Sequence, residues 1–301
     1  MISISDVPSE TNVLEHDIDV GDVKPIKRHA YRTNPEKRTL FRREVEYMLK
    51  HGIAEPSNSS WSSPCILVPK VNTTSPRFCS DFRKLNSVTK PDSYPLPRVD
   101  DCVDRIGSAT FLSKFDLLKG YWQVPLTKRA KEVSAFVIPD GLFQYLRMPF
   151  GLRNAGATFQ RLMNMVLRGL DNTEAYIDDV VVFSNSWSDH LRHIQAVFER
   201  LKTANLTVNL GKSEIAKATV QYLGKVVGQG KVLPVTAKVE AITKFPVPTT
   251  RRELKRFLGM AGYYRAFCRN FSQVAAPLTD LTSPKVSFYW TPECQIAFCS
   301  S

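Results

Sequence analysis

From Phe159 to Leu170 apolar residues return at a helical interval: Phe159, Leu162, Met163, Val166, Leu167 and Leu170. These positions, i, i+3, i+4, i+7, i+8 and i+11, predict one long amphipathic helix. The same rhythm marks a helix on Leu191, Ile194, Val197, Phe198 and Leu201, and another on Leu254, Phe257, Leu258 and Ala261. Ahead of the last, Thr250-Arg251-Arg252-Glu253 has the form of a capping box. Earlier, NPEKRTLFRREVEYMLKHG predicts a helix with Asn34 as N-cap, Pro35 in the first turn and Gly52 as the terminating glycine. Its apolar face would be Phe41, Val45, Met48 and Leu49, with Arg42, Arg43 and Lys50 left to solvent.

Short strands are expected at 65–68, 77–79 and 109–115. The Pro- and Ser-rich stretch 56–99 confines the first two to sheet edges or strand ends. Residues 133–147 (VSAFVIPDGLFQYLR) read as a hairpin turning at Asp140-Gly141, and TVQYLGKVVGQGKVLPV as another turning at Gly228-Gln229-Gly230. Residues 1–30 lack periodicity and predict an extended or disordered arm. Strands and helices mix without a βαβ rhythm or an internal repeat, so the fold class is α+β.

One run breaks the pattern. In AYIDDVVVF (175–183) two adjacent carboxylates, Asp178 and Asp179, interrupt a β-branched and aromatic stretch. Charge buried there costs on the order of several kcal/mol unless it is neutralised. A second acid has a comparable setting: FLSKFDLLKGYWQVPL sets Asp116 at a strand end, before a turn containing Gly120. A bare Asp-Asp pair is most often a solvated turn, and a single Asp a turn or cap residue. The apolar flanks on both sides weigh against that reading. If the two strands are sheet neighbours, three acids converge and require cations. An all-oxygen set without His or Cys favours Mg²⁺ or Mn²⁺ over zinc.

Composition adds limits. A chain of 301 residues can hold more than one subdomain, and 43% hydrophobic with 23% charged residues is ordinary for a soluble globular protein. No apolar stretch nears the ~18 residues of a membrane span, and MISISDVPSE lacks the basic and apolar regions of a secretory signal. The six cysteines show neither a C-x-x-C pair nor zinc spacing, which suggests reduced thiols in a cytosolic or nuclear protein. The net charge is +12, yet residues 1–23 hold six of the 29 acids and none of the 41 bases. The rest is basic enough to suggest a polyanionic partner, nucleic acid first, although solubility alone explains many such surfaces.

Three of these segments, in order and spacing, carry a specific resemblance: FDLLKGYWQVPL with Asp116, MPFGLRNAGATFQRLMN, and YIDDVVVFS. With GIAEPSNSSWSSPCILVPK, RFCSDFRKLN, KPDSYPLPRVDD, QYLGKVV and RRELKRFLGMAGYYRAF, the chain resembles the reverse transcriptase of gypsy-type long-terminal-repeat retrotransposons from about His16 to about Phe298. The resemblance implies a right-hand polymerase. Fingers would be 31–95 with 128–148, palm the rest of 96–232, and thumb 233–280, after an acidic arm at 1–30. Residues 281–301 would begin a connection segment, with the ribonuclease H domain of the parent polyprotein lacking.

It also implies an RNA-directed DNA polymerase that uses two Mg²⁺ ions (Mn²⁺ as substitute), an RNA template, a DNA primer or RNA–DNA hybrid, and deoxynucleoside triphosphates. Asp116, Asp178 and Asp179 would be catalytic and, with Leu117, form the metal set; Asp116 and Asp178 would be the principal ligands. Lys70 and Arg77 would grip the triphosphate, as would the backbone around Lys119 and Gly120. Tyr121 would lie under the sugar and select against a 2′-hydroxyl, Phe150 and Gly151 beside the nucleotide, and Gln160 near the template. Ile177 would touch the primer terminus, Leu223-Gly224 and the hairpin after it would hold the primer strand, and the helix from Arg251 would face duplex phosphates. Taken singly, most of these would be read as core or surface residues. One departure stands out: the family usually reads N-A-P-A-T-F, whereas here Gly156 replaces the proline. Two rival readings remain open, a catalytically silent remnant that still binds nucleic acid and a host-retained fragment acting through protein contacts.

Overall fold

The computed structural model describes residues 7–69 and 76–300. Its twelve strands among those residues are β1 (Ala54–Pro56), β2 (Ser63–Val68), β3 (Arg77–Ser80), β4 (Phe111–Leu117), β5 (Phe136–Ile138), β6 (Gly141–Tyr145), β7 (Thr173–Tyr176), β8 (Asp179–Ser184), β9 (Val208–Lys217), β10 (Val220–Tyr222), β11 (Lys225–Gly228) and β12 (Lys231–Pro234). They form three sheets, ordered β1-β6-β5-β2-β3, β7-β8-β4-β9 and β10-β11-β12. All pairs are antiparallel except β2 with β5. Two compact units result. One holds the chain to Arg105 with Ala109–Ala218; the other holds Ile106–Ser108 with Thr219–Ser301. The β10–β12 sheet therefore belongs to the second unit.

In the first unit, the helix Pro35–Lys50 starts as its sequence predicts. Asn34 Oδ1 accepts from Lys37 N at 2.9 Å, Pro35 opens the first turn, and Gly52 follows the end at φ +61°. Phe41, Val45 and Met48 are buried, but Leu49 is exposed, one position round from the face they define. The long helix expected from Phe159 runs Ala155–Val166, with Phe159, Leu162, Met163 and Val166 buried; Leu167 caps it, so Leu170 falls outside. Ser186 caps the helix Trp187–Thr203, which buries Val197 and Leu201 and leaves Leu191 in solvent. Both helices pack on the four-stranded sheet, where Val180, Val181 and Val182 of β8 are all fully buried. A strand covered on both faces cannot show alternation, which explains the unbroken VVV.

One expectation needs correction and another is narrowed. The β5–β6 turn is Pro139-Asp140, with Ile138 paired to Gly141, one residue earlier than the Asp-Gly dipeptide suggests. Arg38 and Arg42 of the first helix both bind Asp140 there. From residue 7 the acidic arm takes the extended of its two expected forms. His16, Ile18 and Val20 are buried at a period of two. His16 N donates to Pro125 O at 2.8 Å, and Thr11 N to Gln123 O at 2.7 Å. His16 Nδ1 also meets Thr158 Oγ1 at 2.8 Å inside the core. Burial drives the pKa of this imidazole down to about 4, so it is packed neutral.

The second unit has its own core of Leu254, Phe257, Ala261, Leu278 and Leu281. Thr250 caps the helix Arg251–Tyr263 as the capping box predicts, and Glu253 reaches back to Thr249 N at 2.9 Å. Gly228 pairs with Lys231 across Gln229-Gly230, both at positive φ, the requirement of a tight two-residue hairpin. Among the described residues no helix is long and apolar enough to cross a membrane, and all six cysteines are free.

Candidate active site

The acidic residues meet through strand register. β4 lies between β8 and β9, and Asp116 stands directly opposite Asp179. β7 and β8 join through the two-residue turn Ile177-Asp178, closed by the pair Tyr176–Asp179. Asp178 therefore projects from the turn beside the Asp116–Asp179 pair, and its carbonyl accepts from Leu117 N at 3.3 Å. The three acids are each half-buried. Asp178-Asp179 is thus a hairpin turn and a sheet site at once, two readings the sequence alone sets against each other.

The turn is strained. Ile177 is β-branched and held at φ +56°, a region such residues rarely occupy. Gln160 from the helix Ala155–Val166 holds it there. Its Oε1 accepts from Ile177 N at 2.8 Å, and its Nε2 donates to Ala175 O at 2.9 Å and to Asn164 Oδ1 at 3.0 Å. Gln160 is 1% exposed. Gln160, expected near the template, thus has its amide committed inside the fold, on the backbone of the acidic turn.

Lysines answer the charge of the acids. Lys114 Nζ stands 3.2 Å from Asp179 Oδ1, and Lys212 Nζ 3.5 Å from Asp116 Oδ2. Asp178 has its pKa raised, first by burial and then by the negative charges of Asp179 and Asp116, with Lys114 opposing. As the side chains stand, no three His, Cys, Asp or Glu among the described residues cluster closely enough to hold a metal ion. Asp116 and Asp179 are instead each paired with a lysine. The donors nonetheless suit a hard divalent ion, being carboxylates on adjacent strands with mutual repulsion that a cation would relieve.

The segment after β4 builds a second wall. Lys119 is left-handed at φ +49° and leads into the 3-10 turn Gly120–Gln123. A Cβ on Gly120 would lie 3.1 Å from Phe159 Cζ and 3.2 Å from Asp178 Cβ, so only glycine lets the turn approach the acid this closely. The Lys119 side chain is engaged elsewhere. Its Nζ donates to Tyr47 Oη at 2.9 Å and lies over the Tyr47 and Trp122 rings. Tyr121 packs half-buried between Phe150 and Phe159, with ring centroids at 5.1 and 5.6 Å. Phe150 is exposed, and Gly151 beside it adopts φ +93° while its carbonyl accepts from Asn86 Nδ2 at 2.8 Å. Gly156 leaves space under this group, since a Cβ there would sit 3.8 Å from both Tyr121 Oη and Ile177 Cδ1. Arg77 is exposed at the start of β3; Lys70 lies outside the described residues.

In the second unit, Leu223-Gly224 forms the β10–β11 turn with both residues at positive φ. Tyr263 Oη donates to Leu223 O at 2.8 Å and Tyr264 Oη to Gly224 O at 3.3 Å, which ties the turn to the helix Arg251–Tyr263 and its following residue. Arg252, Lys255 and Arg256 of that helix are exposed; Arg251 is half-buried and donates to Val286 O.

Sequence reasoning missed Lys114, Lys212 and the clamp by Gln160. Lys114 was readable, since it lies two residues before Asp116 on a strand and so leaves the same face. Lys212 was not, because bulges in the β4–β9 pairing bring it to Asp116.

Residues 68–227 match the family described as reverse transcriptase (RNA-dependent DNA polymerase). The chain is 39% identical over 276 residues to the retrovirus-related Pol polyprotein from transposon 297 of Drosophila melanogaster, covering 90% of this chain and 26% of that protein. It is 38% identical over 267 residues to the counterpart from transposon gypsy of the same fly, covering 86% and 26%. It thus spans about a quarter of the curated relatives it matches. Among solved structures it is similar to the foamy viral protease-reverse transcriptase in complex with dsDNA, with TM-score 0.88, 25% identity and coverage of 97% of this chain and 61% of that one. The same viral protein in complex with an RNA/DNA hybrid matches with TM-score 0.85 and 25% identity, over 98% and 40%. The α+β fold is that of these polymerases.

Proposed function

The chain belongs to the reverse transcriptase family, and from that premise we propose that it extends a primer 3′-hydroxyl with deoxynucleotides copied from an RNA template. The observation that carries this reading is the register that sets Asp116 opposite Asp179, with Asp178 on the adjoining turn. Residues 31–95 and 128–148 are assigned to fingers, 96–127 and 149–232 to palm, and 233–280 to thumb, with nucleic acid as the partner that their basic surface favours.

Asp116 and Asp178, with the Leu117 carbonyl, would hold two Mg²⁺ or Mn²⁺ ions, Asp179 lying nearby. Bound there, such ions supply activation of the primer hydroxyl and neutralise the charge of the pyrophosphate leaving group. The protein's own groups prepare that chemistry. Lys212 is 71% exposed at its side chain and can yield Asp116 to a cation at little cost, as exposed pairs are worth under about 1 kcal/mol. Gln160 fixes the turn that carries Asp178, so the carboxylate needs no reordering on binding. Gly120 lets the backbone reach the acid, where triphosphate oxygens would meet the amides of Lys119 and Gly120. Tyr121, flanked by two phenylalanines, would present a flat face to the sugar and leave no room for a 2′-hydroxyl. Arg77 and Lys70 are assigned to the triphosphate, Phe150 and Gly151 to the nucleotide's side, and Ile177 to the primer end.

The test is primer extension on an RNA template with Mg²⁺, wild type beside Asp178→Asn. The expected loss is about a hundredfold or more, since charge stabilisation is the largest catalytic contribution. Equal extension by both proteins would overturn the assignment. Extension by neither, with RNA–DNA hybrid still bound, would replace it with the silent binder.

A further inference from the structure

We propose that Lys114 is a positioning residue for the acidic site: by pairing with Asp179 it reserves that carboxylate and leaves Asp116 and Asp178 as the pair that takes divalent cations. The inference rests on the polymerase reading of the site. It begins with sheet geometry. Lys114 and Asp116 are two residues apart on β4, so both side chains leave one face. Asp179 is opposite Asp116 and Val181 opposite Lys114, which puts the ammonium on the diagonal to Asp179, 3.2 Å from Oδ1.

Burial then separates the two lysines of the site. The Lys114 side chain is 19% exposed, against 71% for Lys212. Glu214 of β9 stands opposite Lys114 on the other flank, so the amine is set among acids inside the sheet. Taking Asp179 away would strip a half-desolvated ammonium of its 3.2 Å ion pair, which is costly. Taking Asp116 from Lys212 only returns an exposed side chain to water. An arriving cation therefore competes on unequal terms: cheaply for Asp116, at a penalty for Asp179, and, among the described residues, against no lysine ion pair at Asp178. The same fixed positive charge offsets repulsion among the three acids, and it opposes the upward pull that Asp179 and Asp116 exert on Asp178. The hairpin can thus close on β4 before any ion binds.

The experiment is a Mn²⁺ titration of the full chain without nucleic acid or nucleotide, with free Mn²⁺ read by electron paramagnetic resonance. Removing the competing charge in Lys114→Met should tighten Mn²⁺ binding about three- to tenfold, whereas Lys114→Arg, which keeps the charge, should stay within about twofold. Asp179→Asn should weaken binding by no more than about threefold and Asp178→Asn by at least tenfold, given the loss of a reserved ligand in one and a working ligand in the other. A lysine with a merely structural role would leave affinity unchanged or weaker on removal. Lys114→Met binding no tighter than wild type overturns the proposal, as does an Asp179→Asn loss equal to that of Asp178→Asn. That second contrast decides alone if Lys114→Met does not fold. Wild-type binding that Asp178→Asn abolishes but Lys114→Met leaves unmoved removes only this inference; a wild type that binds no Mn²⁺ removes the metal reading beneath it as well.

Discussion

The side-chain oxygen of Gln160 accepts the amide hydrogen of Ile177 at 2.8 Å, from a helix 17 residues earlier in the chain. Through that bond a buried amide holds a β-branched residue in a left-handed conformation, one place before Asp178. Strain of this kind costs on the order of 1–3 kcal/mol and persists only where neighbouring structure enforces it.

Gln160→Leu keeps the volume but leaves Ile177 N and Ala175 O without their partner. Each unsatisfied buried group costs about 1–3 kcal/mol, so urea denaturation should show about 2–4 kcal/mol lost. Extension should fall by at least about tenfold beyond what stability explains, because the carboxylate of Asp178 moves with the turn. Unchanged extension by a folded Gln160→Leu protein would show that the turn holds without its clamp.

Gly156 offers the opposite test. It is the second residue of the helix Ala155–Val166, and a Cβ there would make ordinary contact at 3.8 Å with Tyr121 and Ile177. Gly156→Ala should therefore stabilise the protein by about 1 kcal/mol, the helical preference of alanine over glycine. A rise in thermal midpoint with extension intact is the expected result. A fall would mean that the space under Tyr121 is needed.

Much of this site was legible because its residues lie on regular elements. The 3.6-residue recurrence from Phe159 predicted the helix that carries Gln160, and the apolar flanks of Asp116 and Asp178 predicted strands that could be neighbours. What local pattern could not disclose depended on partners far away in the chain. Gln160 looked available for a ligand because nothing nearby in sequence shows that Ile177 and Ala175 use its amide. The arm at 7–20 looked featureless as its alternation of His16, Ile18 and Val20 is short and interrupted by acids, and its bonding partners lie more than a hundred residues on. The lysine pairing of Asp116 also escaped, since it depends on a bulge that no pattern of apolar residues records.

The helix Arg251–Tyr263 presents Arg252, Lys255 and Arg256 to solvent, opposite a buried stripe of Leu254, Phe257 and Ala261. If these cations contact phosphates, each releases about one counterion on binding, and the slope of log affinity against log salt falls by about one for each removed. The triple alanine variant should bind an RNA–DNA hybrid more weakly at low salt, with a slope shallower by about two to three. Fluorescence anisotropy across a salt series measures it. Slopes that coincide would mean that this face is merely solvated.

His16 should make stability depend on pH in a definite direction. Burial holds its pKa near 4 in the folded protein against an ordinary 6.5, with Asp17 and Asp92 only partly offsetting that effect. Between those values the unfolded chain binds a proton that the folded one does not, so stability falls as pH falls. The contribution is fully present above pH 6.5 and is lost on descent toward pH 4, by on the order of 3 kcal/mol. Other groups titrate over the same range, so the measurement is a comparison with His16→Gln, which can still bond Thr158 Oγ1 but carries no proton. Urea denaturation at pH 7 and 4.5 should show the wild type losing about 2 kcal/mol more than the variant. Equal losses would place the imidazole in contact with water, and the arm would then be a loosely held strand rather than part of the core.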